Sequence, residues 1–264
     1  TSSFFMIELK ALTKNYDGAV VVKELSLTVP RGQLLVLLGG SGSGKTTTLK
    51  MINRLIEPTA GTVWIDGTET STIPGPELRR QVGYVFQQVG LFPHMTVAEN
   101  VGVTPALLGW SSDRTRAKVD ELLALVELDS IHVRDRYPNE LSGGQQQRVG
   151  VARALAGEPS ILLLDEPFGS LDPLTRQRLQ DSLIRIRREV GLTAIFVTHD
   201  MVEALILGDR IAVMNAGCLV QVGSPRELLT SPADSYVRQL MTTPQRQAEV
   251  VDALMAEAAS EAGS

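Results

Sequence analysis

Two short stretches of the chain carry residue types that handle phosphate. GGSGSGKTT, residues 39–47, has the spacing G-x-x-x-x-G-K-[ST], with Gly39, Gly44, Lys45 and Thr46 at the defining positions. Glycines there let the backbone wrap a phosphate with its N–H groups, because no β-carbon fills the concavity. A helix N-terminus behind them adds partial positive charge. Lys45 is expected to reach the β- and γ-phosphates as a point charge, and Thr46 to offer its hydroxyl to Mg²⁺. ILLLDEP, 161–167, sets Asp165 at the end of four apolar residues, where it could join the metal's ligand shell. Glu166 follows and points differently, so one carboxylate could serve the metal and the other the attacking water as general base. Taken alone, the pair could equally cap the next helix, whose first turn favours acids.

Four further features could complete such a site. TAIFVTHD ends an apolar strand in His199, and ligands of open α/β sheets gather at the carboxyl ends of strands. His199 could contact the γ-phosphate or orient water. VGYVFQQ, 82–88, reads as a strand ending in a polar pair; the Gln87 carbonyl could ligate Mg²⁺ or water, or the residue could simply cap the strand. Tyr16 could stack on a purine by its ring face or serve the fold alone. LSGGQQQR, 141–148, lets Ser142 cap a helix whose first N–H groups, at Gly143 and Gly144, are uncovered by side chains. Such a dipole contributes only about 0.3–2 kcal/mol, enough to complete an anion site but not to make one. The bland alternative is a surface turn.

Alternating α and β patterns must position these residues. IELKALTKNY and VVVKELSLTV read as strands split at Asp17-Gly18, and QLLVLL as a strand buried on both faces. A helix is expected from Gly44 to about Leu55, ended by the Pro58–Gly61 turn, then the strand TVWID. From Pro93 to Gly150 helical spacing dominates, with Val119, Leu122, Leu123 and Val126 on one face. Strand ILLLD, helix 174–190, strand TAIFVTH, helix 201–207 and strand RIAVMN follow. The helix 174–190 is expected to bury Leu179, Leu183, Ile186 and Val190 and to leave Arg185, Arg187 and Arg188 as a solvated face. The alanine- and glutamate-rich tail beyond Pro244 reads as a helix or a frayed end.

With 264 residues the chain has room for one large domain or a domain with an insertion. A net charge of −5 argues against a nucleic-acid footprint. The single cysteine, Cys218, fits a reducing compartment, and no apolar run approaches the roughly 20 residues of a membrane span. TSSFF lacks the character of a secretory signal, and Met6 is a candidate natural start.

The phosphate loop, Gln87, LSGGQ, DEP, Ser170-Leu171-Asp172 and His199, in this order, resemble the ATP-binding subunits of ABC transporters from about residue 7 to 225. The resemblance implies an α/β, P-loop NTPase ABC ATPase fold with an N-terminal antiparallel β subdomain and an inserted helical subdomain. The implied boundaries are 1–87 for the β subdomain and first part of a RecA-like core, 88–150 for the helical subdomain, 151–240 for the second part of the core, and 241–264 for the tail. It further implies that Tyr16 stacks on adenine and that Gly39, Gly40, Ser41, Gly42, Ser43, Gly44, Lys45, Thr46 and Thr47 form the Walker A loop. Gln87 would be the Q-loop glutamine, Ser142, Gly143, Gly144 and Gln145 the signature, Asp165 and Glu166 the Walker B pair, Ser170–Asp172 the D-loop, and His199 the switch histidine. The cofactors would be ATP and Mg²⁺. Two such chains, a homodimer by expectation, would pack head to tail, with the signature of one closing over the nucleotide of the other. The remaining partners would be transmembrane permease subunits and, indirectly, an extracytoplasmic solute-binding protein, with the chain on the cytoplasmic face of the cell membrane.

KMINRLIEPTAGTVWIDG and ELRRQVGYVFQQVGLFPHMTVAENVGVTPALLGW are similar to ATPases of bacterial osmoprotectant importers, which move glycine betaine, choline, carnitine or proline. A polar amino-acid or other small-solute importer, a non-transport ABC ATPase and a GTPase-like binding module are the alternatives. Many osmoprotectant ATPases continue into paired CBS-type domains, for which this chain is expected to have no room beyond Pro244. Gly40 stands where proline is frequent in Walker A loops, and either suits a turn.

Overall fold

The computed structural model describes residues 5–169 and 171–242; Ser170 and the tail expectation from 243 onward lie outside them. An antiparallel hairpin, β1 (Phe5–Tyr16) and β2 (Ala19–Pro30), turns at Asp17-Gly18. β1 also pairs with β4 (Ala60–Ile65), which carries the short β5 (Thr68–Glu69), in the order β2-β1-β4-β5. The second sheet runs β10-β9-β3-β8-β7-β6: β10 (Cys218–Gly223), β9 (Arg210–Asn215), β3 (Leu34–Leu38), β8 (Thr193–Thr198), β7 (Ile161–Asp165) and β6 (Val82–Val85). From β9 to β6 all neighbours are parallel, whereas β10 folds back antiparallel on β9.

β3 explains the layering. All five of its side chains are buried, and successive side chains of a strand face opposite ways. Leu35 and Leu37 join a core with the first sheet and α1 (Lys45–Ile52), while Leu34, Val36 and Leu38 join a second core on the other face. That second core takes residues from α3 (Val97–Leu107), α4 (Ser112–Leu125), α6 (Gly143–Leu155), α7 (Pro173–Val190) and α8 (Met201–Leu207). The short α2 (Gly75–Gln81), α5 (Ser130–Val133) and α9 (Pro225–Thr230) complete the named α-helices. In α4 the expected stripe of Val119, Leu122 and Leu123 is buried, with Val126 beside it at the C-cap.

Several local readings change. α1 ends at Ile52, before Leu55, because Arg54 takes a left-handed φ of 47°. Its N–H then donates to the Met51 carbonyl at 3.1 Å and that of Leu55 to Lys50 at 2.9 Å, a Schellman closure in which arginine occupies the usual glycine position. β6 stops at Val85 rather than Gln88, because the ladder to β7 runs only from Val82 to Val85. In α7, Leu179 and Leu183 are buried but Val190 is 68% exposed, and Arg187 is buried. Arg187 Nη1 donates to the Gly32 carbonyl at 3.0 Å and pairs with Asp209, whose other contact is the Leu34 N–H at 2.7 Å. That arginine is therefore a clamp on the entry to β3. β10 carries no alternation strong enough to have been read from the sequence; the Ala216-Gly217 turn, with φ of 46° and 80°, directs it back along β9.

Candidate active site

Every residue expected to do chemistry, Tyr16 and the 142–145 and 171–172 segments apart, leaves the carboxyl end of a parallel strand. The ladders pair Leu38 with Thr198, Asp165 with Val197, and Val85 with Leu164, so β3, β8, β7 and β6 finish nearly level. The glycine-rich loop 39–44, His199, Asp165-Glu166 and Gln87 thus emerge along one edge, the edge at which ligands of open α/β sheets bind.

The loop 39–44 connects β3 to α1. A β-carbon on Gly39 would collide with the Met214 carbonyl of β9, and one on Gly44, where φ is 94°, would lie 2.7 Å from the Val21 carbonyl of β2. These two glycines are required by the chain's own strands. Ser41 and Gly42 are exposed, Ser43 is buried, and Thr46 and Thr47 are half-buried in the first turn of α1. Lys45 is buried, its ammonium donating to the carbonyls of Gly39 and Gly40 at 2.8 Å each and to Ser43 Oγ at 3.1 Å. Burial lowers its pKa, and the Glu166 and then the Asp165 carboxylates oppose that. Gly40, in the place proline often fills, donates its N–H to the Tyr236 hydroxyl at 3.2 Å, which ties the helical residues 235–242 to the loop.

Asp165 is 2% exposed and accepts from the Thr46 hydroxyl at 2.8 Å. Burial raises its pKa; the Thr46 bond opposes the rise and the Glu166 charge adds to it. A buried carboxylate touching a hydroxyl, with no nitrogen or sulfur donors, fits a hard cation such as Mg²⁺. Tyr84 packs buried beside it, its phenol pushed well above its ordinary range by burial and by the Asp165 carboxylate. Glu166 follows with φ of 46°, uncommon for a residue with a β-carbon. Its N–H donates to the Val197 carbonyl at 3.1 Å, so the chain is still held to β8 while the side chain turns out. Gln87 Nε2 donates to Glu166 Oε2 at 3.4 Å, and His199 Nδ1 lies 3.3 Å from Glu166 Oε1. The structure brings Gln87, Glu166 and His199 together, from three strands.

The other expected residues stand apart from this cluster. Ser142 caps α6 in a capping box: Gln145 donates its N–H to Ser142 Oγ at 3.3 Å, and Ser142 donates its own to Gln145 Oε1 at 2.9 Å. Ser142 and Gly143 are exposed, and nothing lies within 4 Å of where a Gly143 β-carbon would sit. Asp172 caps α7 by accepting from the Thr175 N–H at 3.0 Å, which lowers its pKa. Tyr16 is 45% exposed at the hairpin end, with the Lys14 ammonium 4.9 Å from its ring centroid. Sequence reasoning missed Arg153, which donates to the Val89 and Gly90 carbonyls at 2.8 Å and so binds the segment after Gln87 to α6. It also missed Tyr84, Tyr236, Arg176 and Glu203, whose contacts arise only through folding.

Residues 22–169 match the ABC transporter family. The chain belongs to that family. Among its relatives, the glycine betaine/carnitine/choline transport ATP-binding protein OpuCA of Bacillus subtilis (strain 168) is 48% identical over 237 residues, covering 89% of this chain and 62% of OpuCA. The glycine betaine uptake system ATP-binding protein YehX of Escherichia coli (strain K12) is 50% identical over 234 residues, covering 89% of this chain and 76% of YehX. The osmoprotectant import ATP-binding protein OsmV of Salmonella typhimurium (strain LT2) is 49% identical over 237 residues, covering 88% and 62% respectively. This ABC family chain thus spans about 62% of the length of OpuCA and OsmV. A dimeric post-hydrolysis structure of the ATP-binding cassette MJ0796, bound to ADP and Pi, superposes with a TM-score of 0.79 at 37% identity, covering 84% of this chain and 99% of that one. The fold is that of an ABC ATPase cassette.

Proposed function

We propose that the chain hydrolyses ATP as the motor subunit of a bacterial importer for glycine betaine or a related osmoprotectant. The observation that carries the ATPase reading is the junction of Gln87, Glu166 and His199 beside the loop of Lys45. In this reading the 39–47 loop and the α1 N-terminus cradle the phosphates, Lys45 exchanges carbonyl partners for phosphate oxygens, and Tyr16 offers its exposed ring to adenine. Glu166 accepts a proton from the attacking water, with Gln87 and His199 holding its two oxygens in place. Thr46 and Asp165, with Gln87, would hold Mg²⁺, which when bound neutralises charge on the phosphates.

The exposed capping box at Ser142 supports a head-to-tail homodimer, in which the free N–H groups of Gly143 and Gly144 meet the partner's γ-phosphate and Asp172 lies at the junction. The post-hydrolysis cassette neighbour is itself dimeric. A groove of about 460 Å³ lies beside the end of β6, lined by Tyr84, Phe86, Phe92, Val103 and Arg153 among others. Its exposed rings at Phe86 and Phe92 suit an apolar helix of a permease subunit on the cytoplasmic face of the membrane. No helix among the described residues is long and apolar enough to cross a membrane. The osmoprotectant assignment rests on the relatives' functions.

The test pairs two assays. Glu166→Gln should keep ATP affinity, accumulate an ATP-bound dimer in size-exclusion chromatography, and lose about 10²–10⁴-fold in turnover; wild-type turnover would remove Glu166 as the base. Cells carrying the chain with its permease and receptor should take up labelled glycine betaine or choline. Uptake of a polar amino acid instead would replace the substrate assignment and leave the ATPase intact.

A further inference from the structure

His199 is carried by a turn that is braced from behind. The Asp200 N–H donates to Thr198 Oγ1 at 2.9 Å, closing the backbone around the histidine. Thr198 in turn donates its hydroxyl to Glu203 Oε2 at 2.6 Å, and Gln180 Nε2 of α7 donates to Glu203 Oε1 at 3.3 Å. Thr198, Gln180 and Glu203 are all buried. A buried carboxylate is costly unless hydrogen-bonded and paired with a cation, and the cation here is Arg176. Its Nε lies 3.9 Å from Glu203 Oε1, and its Nη1 lies 3.8 Å from Asp200 Oδ2.

Arg176 also reaches the other way. Its Nη2 donates to the Leu171 carbonyl at 3.4 Å, and its own N–H to the Asp172 carbonyl at 2.9 Å, as the first turn of α7 forms. Leu171 is buried with its Cδ2 only 3.3 Å from where a Gly144 β-carbon would stand. One guanidinium therefore bridges the 171–172 segment, whose Leu171 packs on Gly144 of α6, and the turn that aims His199 at Glu166.

We infer that Arg176 and Glu203 are positioning residues that hold His199 in register with the 171–172 segment, so that a second chain seated against Asp172 and Ser142 sets the histidine for hydrolysis. This rests on the proposed ATPase reading. Neither residue touches the Glu166 cluster; both act through the turn 198–203. The physical content is a shared network with two ends, which a mutant cycle can test.

The experiment measures steady-state ATP hydrolysis, nucleotide binding and thermal unfolding for Arg176→Ala, Arg176→Lys, Glu203→Gln, His199→Ala and the Arg176→Ala/His199→Ala pair. Misplacement of a reacting group by about 1 Å can cost 10²-fold, so Arg176→Ala should lower kcat by about 10- to 100-fold while KM for ATP changes less than about threefold. Arg176→Lys, which keeps the charge, should recover part of the loss, and Glu203→Gln should mimic the alanine variant. In the His199→Ala background, Arg176→Ala should cost nothing further. A loss that adds fully in that background, or that tracks a fall in melting temperature, would make the bridge a structural brace and overturn the inference. Wild-type kcat in Arg176→Ala, with an active parent, overturns the inference alone. An inactive parent chain in complex with its permease overturns the ATPase reading and the inference with it.

Discussion

Lys45→Ala removes a buried ammonium that spends all three of its protons on Gly39, Gly40 and Ser43 in the free chain. Two effects follow, and they have different signs. Without nucleotide, the variant loses charge-assisted bonds, each worth about 1.5–3 kcal/mol, but it is also relieved of burying a cation, a cost visible in the lowered pKa. The balance should leave the melting temperature of the free chain little changed. With nucleotide, the ammonium faces phosphate oxygens at close range, where one unit-charge pair at 4 Å is worth about 4 kcal/mol at an effective dielectric of 20. Exchanging Gly39 or Gly40 for phosphate returns part of this, leaving a net loss of about 2–4 kcal/mol. At 1.4 kcal/mol per decade, affinity for ATP should fall by about 30- to 700-fold. Titration with a fluorescent ATP analogue reads this directly, with calorimetric unfolding as the control. A dissociation constant within threefold of wild type, on a folded variant, would refute the assignment of Lys45 to the phosphates.

Three further expectations can be checked together. Asp165→Asn should stabilise the free chain at neutral pH. The folded Asp165 keeps its proton above the ordinary value of 3.8, so its stabilising contribution is present below that value and is lost as pH rises through the raised folded pKa. Calorimetry should therefore find a higher melting temperature, about 2–4 °C for each kcal/mol relieved, while Mg²⁺-dependent ATP binding is lost; a lower melting temperature would contradict the reasoning. Ser142→Ala removes the capping box of α6, at a cost of about 1 kcal/mol in stability, and should reduce turnover while leaving ATP affinity of the single chain unaltered, as equilibrium dialysis would reveal. Arg187→Ala removes the buried guanidinium from the Gly32 carbonyl and from the exposed Asp209 carboxylate and should cost about 1.5–3 kcal/mol in urea unfolding, a loss that a solvated arginine would not produce.

Much of the candidate site was legible because its residues are read in consecutive runs. Gly39 to Thr46 had to lie on one loop and the first turn of the helix after it, and Asp165 had to end a strand, since four apolar residues precede it and a turn follows. The strand pattern also marked His199 and Gln87 as strand-end residues, although β6 closes two residues before Gln87. Arg187 shows where the reading failed. Arginines at 185, 187 and 188 look alike in sequence, yet only helix phase and the position of Asp209 decide which one is buried.

The chain order alone thus determined the chemistry on offer: a glycine-rich loop with the spacing of a phosphate-binding loop, two adjacent carboxylates, a strand-end histidine and a glycine pair at a helix start. Local rules suffice for these, because backbone shape and capping depend on neighbours within a few residues. Tertiary structure decided which of these groups meet. Gln87, Glu166 and His199 converge because β6, β7 and β8 are adjacent and end level, whereas Ser142 stays remote at the tip of α6. It also supplied partners that no spacing foretells, such as Tyr236 for Gly40 and Arg176 for Glu203. The reason is physical: strand order and helix packing arise from burying both faces of one sheet, and that requirement is met by the whole chain at once.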